Sequence, residues 1–387
     1  MRLGSSKILF IIFILLVVVT LAEVGYYAYY QIFTNKQLKQ PLPTQPLTEK
    51  QTTETAANKN QLSSTGRCPK GFILVPGDPS YKTDDFCVMK YEAKCDINND
   101  GIGDKGQQDM SFTGWDNAVD PCKGNGRVIV SSPKGWPIVR IPQSDTTGNS
   151  AKSYCKNQGW HLITNSEWMT IARNIEKNPD NWCMDNSGGK CGKNNGGIML
   201  TRGHSQAADE LIDGPLEASE YDNKACFSTV AKDSNNNCGD PQTEKRTHTI
   251  SNGQIIWDFA GNVWEWEDMT VNEKDLPTAW NGKVIRPGGS WSDYSKVLNK
   301  TDWYLKDTGV FSYDDFGPLD KTLNSVNGIG RMFHNSNPGK LTQNIFGVIR
   351  GGGWPNGANS GIYAAALNRE PTYYHTDLGF RCATNTK

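Results

Sequence analysis

The sequence predicts an α+β fold, rich in loops and tied by disulfides, set behind an apolar N-terminal segment. Three observations carry that expectation. Only residues 148–158 and 162–173 show helical spacing of apolar residues; the other structured stretches are short apolar runs between turn residues. Gly (39), Trp (12) and Tyr (14) are abundant, as in chains where rings pack what regular elements leave open. Ten cysteines all follow the apolar segment, and none forms a CxxC pair. That spacing speaks for disulfides in an oxidising compartment rather than for zinc.

The 387 residues are enough for one large domain or two ordinary ones. A net charge of -1, from 40 basic and 41 acidic residues, gives no basic face for nucleic acid. Residues 1–7 carry Arg2 and Lys7, and an aliphatic run follows from Ile8 to Ala22. Glu23 interrupts it, and Tyr26, Tyr27, Tyr29 and Tyr30 come next. Residues 8–30 read as a transmembrane signal anchor with a cytoplasmic residue 1–7 tail and an interfacial tyrosine belt. The alternative is a cleaved signal peptide with Thr20 and Ala22 before the cut. Either way the remainder is exported, which places the protein at the cell membrane, single-pass, if the anchor stays. Residues 34–66 hold almost no large apolar side chain and read as a disordered stalk stiffened by Pro41, Pro43 and Pro46.

Residues 67–387 form the globular part. Phe72–Pro76 and Phe86–Ala93 are expected strands. Ala151, Tyr154 and Cys155 share one face of the first expected helix. In the second, Thr164 and Glu167 have the spacing of a capping box, which satisfies amides at a helix start. Cys183 with Cys191, and Cys226 with Cys238, are candidate loop-closing bridges.

Several strings together carry a resemblance. They are Asp258-Phe259-Ala260-Gly261-Asn262-Val263-Trp264-Glu265-Trp266, Ala151-Lys152-Ser153-Tyr154-Cys155, Gly159-Trp160-His161-Leu162-Ile163-Thr164 with Glu167-Trp168, Arg350-Gly351-Gly352-Gly353-Trp354, and Gly379-Phe380-Arg381-Cys382-Ala383. In order and distance they resemble the formylglycine-generating enzyme (sulfatase-modifying factor) family. The resemblance implies an elaborated C-type-lectin fold and a Cys155–Cys382 bridge. The family's enzymes oxidise a substrate cysteine with two copper-binding cysteines; soft thiolates suit that metal. Here the matching positions are Asn356 and Gly361, so no copper and no such enzyme activity is expected. The five histidines are scattered and propose no other chemistry.

More narrowly, residues 350–383 resemble the variable region of diversity-generating-retroelement proteins, which use this fold to display a ligand-binding surface. The positions that correspond to variable ones are Pro355, Asn356, Ala366, Asn368, Arg369, Glu370, Tyr373, Tyr374, His375 and Asp377. Such elements mutate adenines. Changing only the adenines of an asparagine codon yields Tyr, His, Asp, Ala, Arg or Pro, which covers these positions except Glu370. Turn chemistry enriches many of the same residues, so a fixed binding loop stays open beside a diversified one. In either case Tyr, His, Asn and Arg make good contact residues.

Asp96, Asn98, Asp100, Ile102 and Asp104 have the spacing of the first part of an EF-hand-like loop, and oxygen ligands suit calcium. An Asx-rich turn is the alternative. The family resemblance also implies structural calcium near Asn262, Val263 and Glu265. Arg286–Trp291 repeats the Arg350–Trp354 pattern, and the insert between them, residues 293–341, is expected to shape the rim of the binding face. The expected function is a cell-surface receptor or adhesin with an unknown protein or glycan ligand on another cell or virus. A sulfatase-modifying oxidase and a structural envelope protein are the alternatives; the first would need two thiols near the C-terminal strand, where only Cys382 stands.

Overall fold

The structure is a computed structural model that describes residues 68–104, 122, 128–183, 199–205, 214–222, 244–272, 279–280, 283–284, 290–294, 313–334 and 345–386. The chain divides into two units, 1–55 and 56–387, and every described residue lies in the second. The expected anchor (8–30) and stalk (34–66) lie outside the described residues, among which no helix is long and apolar enough to cross a membrane.

In chain order the first strands are β1 (Phe72–Val75), β2 (Phe86–Met89), β3 (Lys94–Asp96) and β4 (Val128–Val130). Helix α1 (Ala151–Asn157), β5 (His161–Leu162) and helix α2 (Asn165–Lys177) follow. Then come the short hairpins β6–β7 (Trp182–Cys183, Met199–Leu200) and β8–β9 (Thr247–Thr249, Ile255–Trp257). After β10 (Trp264–Asn272), the hairpin β11–β12 (Ala279–Trp280, Lys283–Val284) precedes β13 (Ser290–Ser292) and β14 (Met332–His334). The last strands are β15 (Ile345–Arg350), β16 (Ala365–Arg369), β17 (Leu378–Phe380) and β18 (Cys382–Asn385).

Two sheets organise these elements. The first runs β1-β2-β18-β5, so the last strand is inserted between the early ones and closes the domain on itself. All four residues of β2 are buried, as a central strand requires. The second sheet runs β13-β14-β16-β15-β10-β17, with β10–β17 and β14–β16 parallel and the other pairs antiparallel. Side chains alternate between its faces. Ala365 and Leu367 of β16 join one core with Trp168, Phe259 and Phe346, while Ala364 and Ala366 join the other with Trp264, Trp266, Ile349 and Phe380.

Both expected helices form, with shifted ends. Ser150 caps α1, its hydroxyl accepting the Ser153 N–H. Thr164 and Glu167 make the reciprocal capping box at the start of α2. Leu162, expected inside that helix, belongs to β5 and pairs with Cys382, because the N-cap at Thr164 forbids an earlier start. The helix continues past Arg173 to Lys177, burying Trp168, Met169, Ile171, Ala172 and Ile175, and Pro179 stops it. The β2 strand ends at Met89 rather than Ala93, where the chain turns toward β3.

Cys155 and Cys382 are bonded, stapling α1 to β18, as the family resemblance implies. Cys68–Cys87 and Cys95–Cys122 are two further bridges whose pairing the sequence left open. The Cys183–Cys191 and Cys226–Cys238 pairings lie outside the described side chains.

Candidate functional site

The signature strings meet around one buried charge. Arg381, fully buried, faces away from its neighbour Phe380, which fills the core. Its guanidinium donates from Nε to Glu265 Oε2 (2.5 Å) and from Nη2 to Glu265 Oε1, and also reaches the carbonyls of Met89, Trp257 and Asp258. The Gly-Phe-Arg string is thereby locked to the Trp264–Trp266 strand. Asp258, at a φ of 52°, is held by Arg246 through two bonds of 2.6 and 2.7 Å. Such a bidentate fork between desolvated partners fixes geometry more than it adds stability. Asn262 donates from Nδ2 to Glu92 (2.5 Å) and accepts the Leu216 N–H (2.8 Å). Asn262 and Glu265, expected near a calcium ion, cross-link the motif through Glu92, Leu216 and Arg381.

The Asp96–Asp104 loop is closed by its own side chains. Asp96 accepts the N–H groups of Asp100 (3.0 Å) and Gly101 (2.8 Å), Asp100 that of Ile102 (2.8 Å), and Asp104 that of Ile97 (2.7 Å). Asn98 bonds Asp100 through both its amide and its carbonyl. The oxygen-only donor set suits a hard cation. As placed, its carboxylates cap amides; among the described residues no group of three or more His, Cys, Asp or Glu side chains is positioned to hold a metal.

The C-terminal segment begins where β15 ends at Arg350. Gly351 and Gly352 turn at φ of 86° and 87°, and a β-carbon on Gly352 would lie 2.3 Å from the Ser360 hydroxyl. The two positions matching the family's copper-binding cysteines are then reached. Asn356 accepts the Gly353 N–H through Oδ1 (2.8 Å) and so closes the turn. Gly361 packs against the backbone of the insert: a β-carbon there would come within 2.2 Å of the Ile329 carbonyl carbon and 2.3 Å of the Gly330 nitrogen. A cysteine cannot occupy 361 in this backbone, and Cys382 is committed to its disulfide.

The loop between β16 and β17 is held by main-chain bonds. Gln143 and Ser144 donate to the Pro371 carbonyl, Arg140 to that of His375, Trp264 to that of Asp377, and Tyr373 to that of Glu370. Arg369, Tyr374 and His375 are exposed, and Tyr373 is half-buried against the core. The Arg369 guanidinium lies 4.3 Å from the Tyr373 ring centre, and Tyr373 stacks on His375 at 6.0 Å and 9°. His375 Nδ1 meets Asp377 Oδ1 at 2.5 Å, and that bond raises the imidazole's affinity for a proton. Burial raises the Tyr373 phenol, against the pull of Arg369. Tyr374 is 60% exposed beside the stack.

Five of the expected contact residues are therefore linked: Asn356 and Asp377 flank Gly353, and Asp377, His375, Tyr373 and Arg369 continue in a row. Pro355, Asn368 and Glu370 are half-buried at its edges. Ala366 departs from the expectation. It is 4% exposed, paired with both Phe333 and Ile349 inside the sheet, so it packs and does not touch a ligand. Two residues were missed. Trp291 and Phe333, half-buried, stack edge-on at 4.9 Å, and Trp291 lies flat on Trp264, which adjoins Gly353. The signal for Trp291 was present in the repeated Arg-Pro-Gly-Gly-Ser-Trp string, and Phe333 comes from the insert expected at the rim.

These features define a disulfide-tied, loop-rich α+β scaffold whose last loop is pinned through its main chain. The chain matches the sulfatase-modifying factor enzyme 1-like domain over residues 79–386 and belongs to that family. No curated protein matches it. Among solved structures it is similar to the Major Tropism Determinant P3c variant, at 14% identity and a TM-score of 0.34, covering 82% of this chain and 53% of that one. It is also similar to Treponema denticola variable protein 1, at 14% identity and a TM-score of 0.26, covering 82% and 100%. The chain spans about half the length of the first of these.

Proposed function

We propose that this protein is a non-catalytic, ligand-binding member of the family, displayed at the cell surface, with residues 350–383 as its binding region. The observation that carries the reading is the segment from Arg369 to Asp377: the main chain is pinned by backbone bonds, while Arg369, Tyr374 and His375 are exposed around the half-buried Tyr373. Changing such side chains leaves the bonds that shape the loop intact. That is what a surface altered by retroelement mutagenesis, or tuned by ordinary selection, requires. The filled Gly361 position and the bonded Cys382 speak against the oxidase. Residues 8–30 would anchor the domain and residues 34–66 would hold it away from the membrane, with the three disulfides suited to the outside of the cell. The ligand would be a protein or glycan on another cell or a virus. A structural calcium would be held by the oxygens of Asp96, Asn98, Asp100, Asp104 and the Ile102 carbonyl once they turn from the amides they cap.

Sequencing the coding locus and its flanks across isolates tests the reading. A neighbouring reverse transcriptase, and a near-copy of the 350–383 coding segment differing only at the copy's adenines, are expected. Variation confined to outward positions would identify the contact residues. An invariant segment with neither neighbour would remove diversification and leave a fixed binding loop.

A further inference from the structure

Most of the described arginines are held by acids. Arg173, Arg246, Arg331, Arg350 and Arg381 each face a carboxylate. Arg369 is exposed and is held by a ring, Tyr373, whose own orientation is set by His375 and Asp377. Stacking uses the flat face of a guanidinium and leaves its N–H edge, which matches the two oxygens of an oxyanion. Arg140 is close enough to His375 to act on its protonation, and Asp377 is engaged by His375. Glu370, the other acid of the loop, is half-buried.

Resting on the binding-face reading, we propose that the ligand of this face carries an oxyanion, a carboxylate or a sulfate, gripped edge-on by Arg369. The stack fixes the guanidinium before the ligand arrives, which lowers the ordering cost of binding. The fork then offers two parallel charge-assisted bonds. Because residue 369 is one of the positions expected to vary, this preference belongs to the present set of side chains and not to the scaffold.

The full-length protein in detergent would be applied to poly-L-glutamate, dextran sulfate and uncharged dextran resins and eluted with salt. Wild type is expected to be held by a polyanion and to pass through dextran. The resin that holds it identifies the group: carboxylate for polyglutamate, sulfate for dextran sulfate, either for both. Arg369→Gln is expected to weaken retention about tenfold, the scale of one charged hydrogen-bonded contact. Arg369→Lys keeps the charge but not the fork and should recover only a small part. Lys156→Gln, an exposed charge on α1, should change nothing. Equal losses in Arg369→Gln and Lys156→Gln, no loss in Arg369→Gln, or no retention of wild type would each overturn the proposal. If the locus proves diversified and Arg369→Gln is silent, only the oxyanion is lost. If the segment proves invariant, diversification falls whatever the resins show.

Discussion

Adding a β-carbon at residue 361 probes how closely the C-terminal turn packs on the segment around Ile329. In Gly361→Ala or Gly361→Cys the new carbon would sit 2.2 Å from the Ile329 carbonyl carbon, 2.3 Å from the Gly330 nitrogen and 2.5 Å from the Ile329 oxygen. Ordinary carbon contacts are about 3.5–4.0 Å, so one backbone must move by more than an ångström. The two segments are tied by Tyr363 N–H to Ile329 O (3.0 Å), Arg331 N–H to Asn359 O (3.1 Å) and Ala365 N–H to Arg331 O (3.2 Å). Overpacking with the loss of one or two of these bonds costs roughly 3–5 kcal/mol. At a slope of about 2–3 kcal/mol/M this lowers the urea midpoint by about 1–2 M. Ala358→Cys, at an exposed position nearby, is the control and should not move it. Asn356→Cys with Gly361→Cys should accordingly gain neither stability nor stoichiometric copper. A Gly361→Ala midpoint within about 1 kcal/mol of wild type would refute the steric account.

Four further outcomes are expected. His204 and His248 are buried, and desolvation lowers each to about 3 from 6.5. Above pH 6.5 both folded and unfolded states carry neutral imidazole. Below it the unfolded state takes up the protons first, so stability falls by roughly 2 kcal/mol per histidine at pH 5. His161 and His375, raised by their carboxylate partners but more exposed, oppose this only weakly. Denaturant midpoints at pH 7 and pH 5 measure the difference, and a flat profile would contradict the burial. Replacing Cys155 and Cys382 with Ala should cost about 2–4 kcal/mol by thermal unfolding, since the bond spans 227 residues. Single alanines at Tyr374 and His375 should each cost less than about 1 kcal/mol, because backbone bonds hold the loop; a core-sized loss would mean that these rings support it. Calcium should raise the unfolding temperature and chelator should reverse it, an effect absent in Asp96→Asn with Asp100→Asn.

Local signals made much of the frame legible. The capping box, the two helices and the β1–β2 strands depend on neighbours in sequence, and they fall within a few residues of their expected places. The family resemblance supplied Cys155–Cys382, which no local pattern could. The six-stranded sheet was not legible: β13, β14 and β17 have three residues each, too few for periodicity, and their order depends on crossovers between distant segments. At the site, Tyr373, His375 and Arg369, expected from residue type, lie side by side, with Arg369 and His375 exposed. Residue type failed at Ala366, because alanine in β16 has the same identity whether it faces solvent or Phe333. Trp291 stood in the repeated Arg286–Trp291 string, but nothing local placed its ring beside Trp264.

The Cys155–Cys382 bond also bears on how the molecule is made. It draws the loop of residues 370–377 into a covalent ring that stays open until residue 382 has been synthesised. Until then β18 cannot take its place between β2 and β5, and the first sheet is left with a missing middle. The loop of residues 370–377 is therefore among the last parts to acquire its shape. A chain truncated between β5 and the final strand would carry both an open sheet edge and an unpaired thiol at Cys155, two marks by which an incomplete copy differs from a finished one.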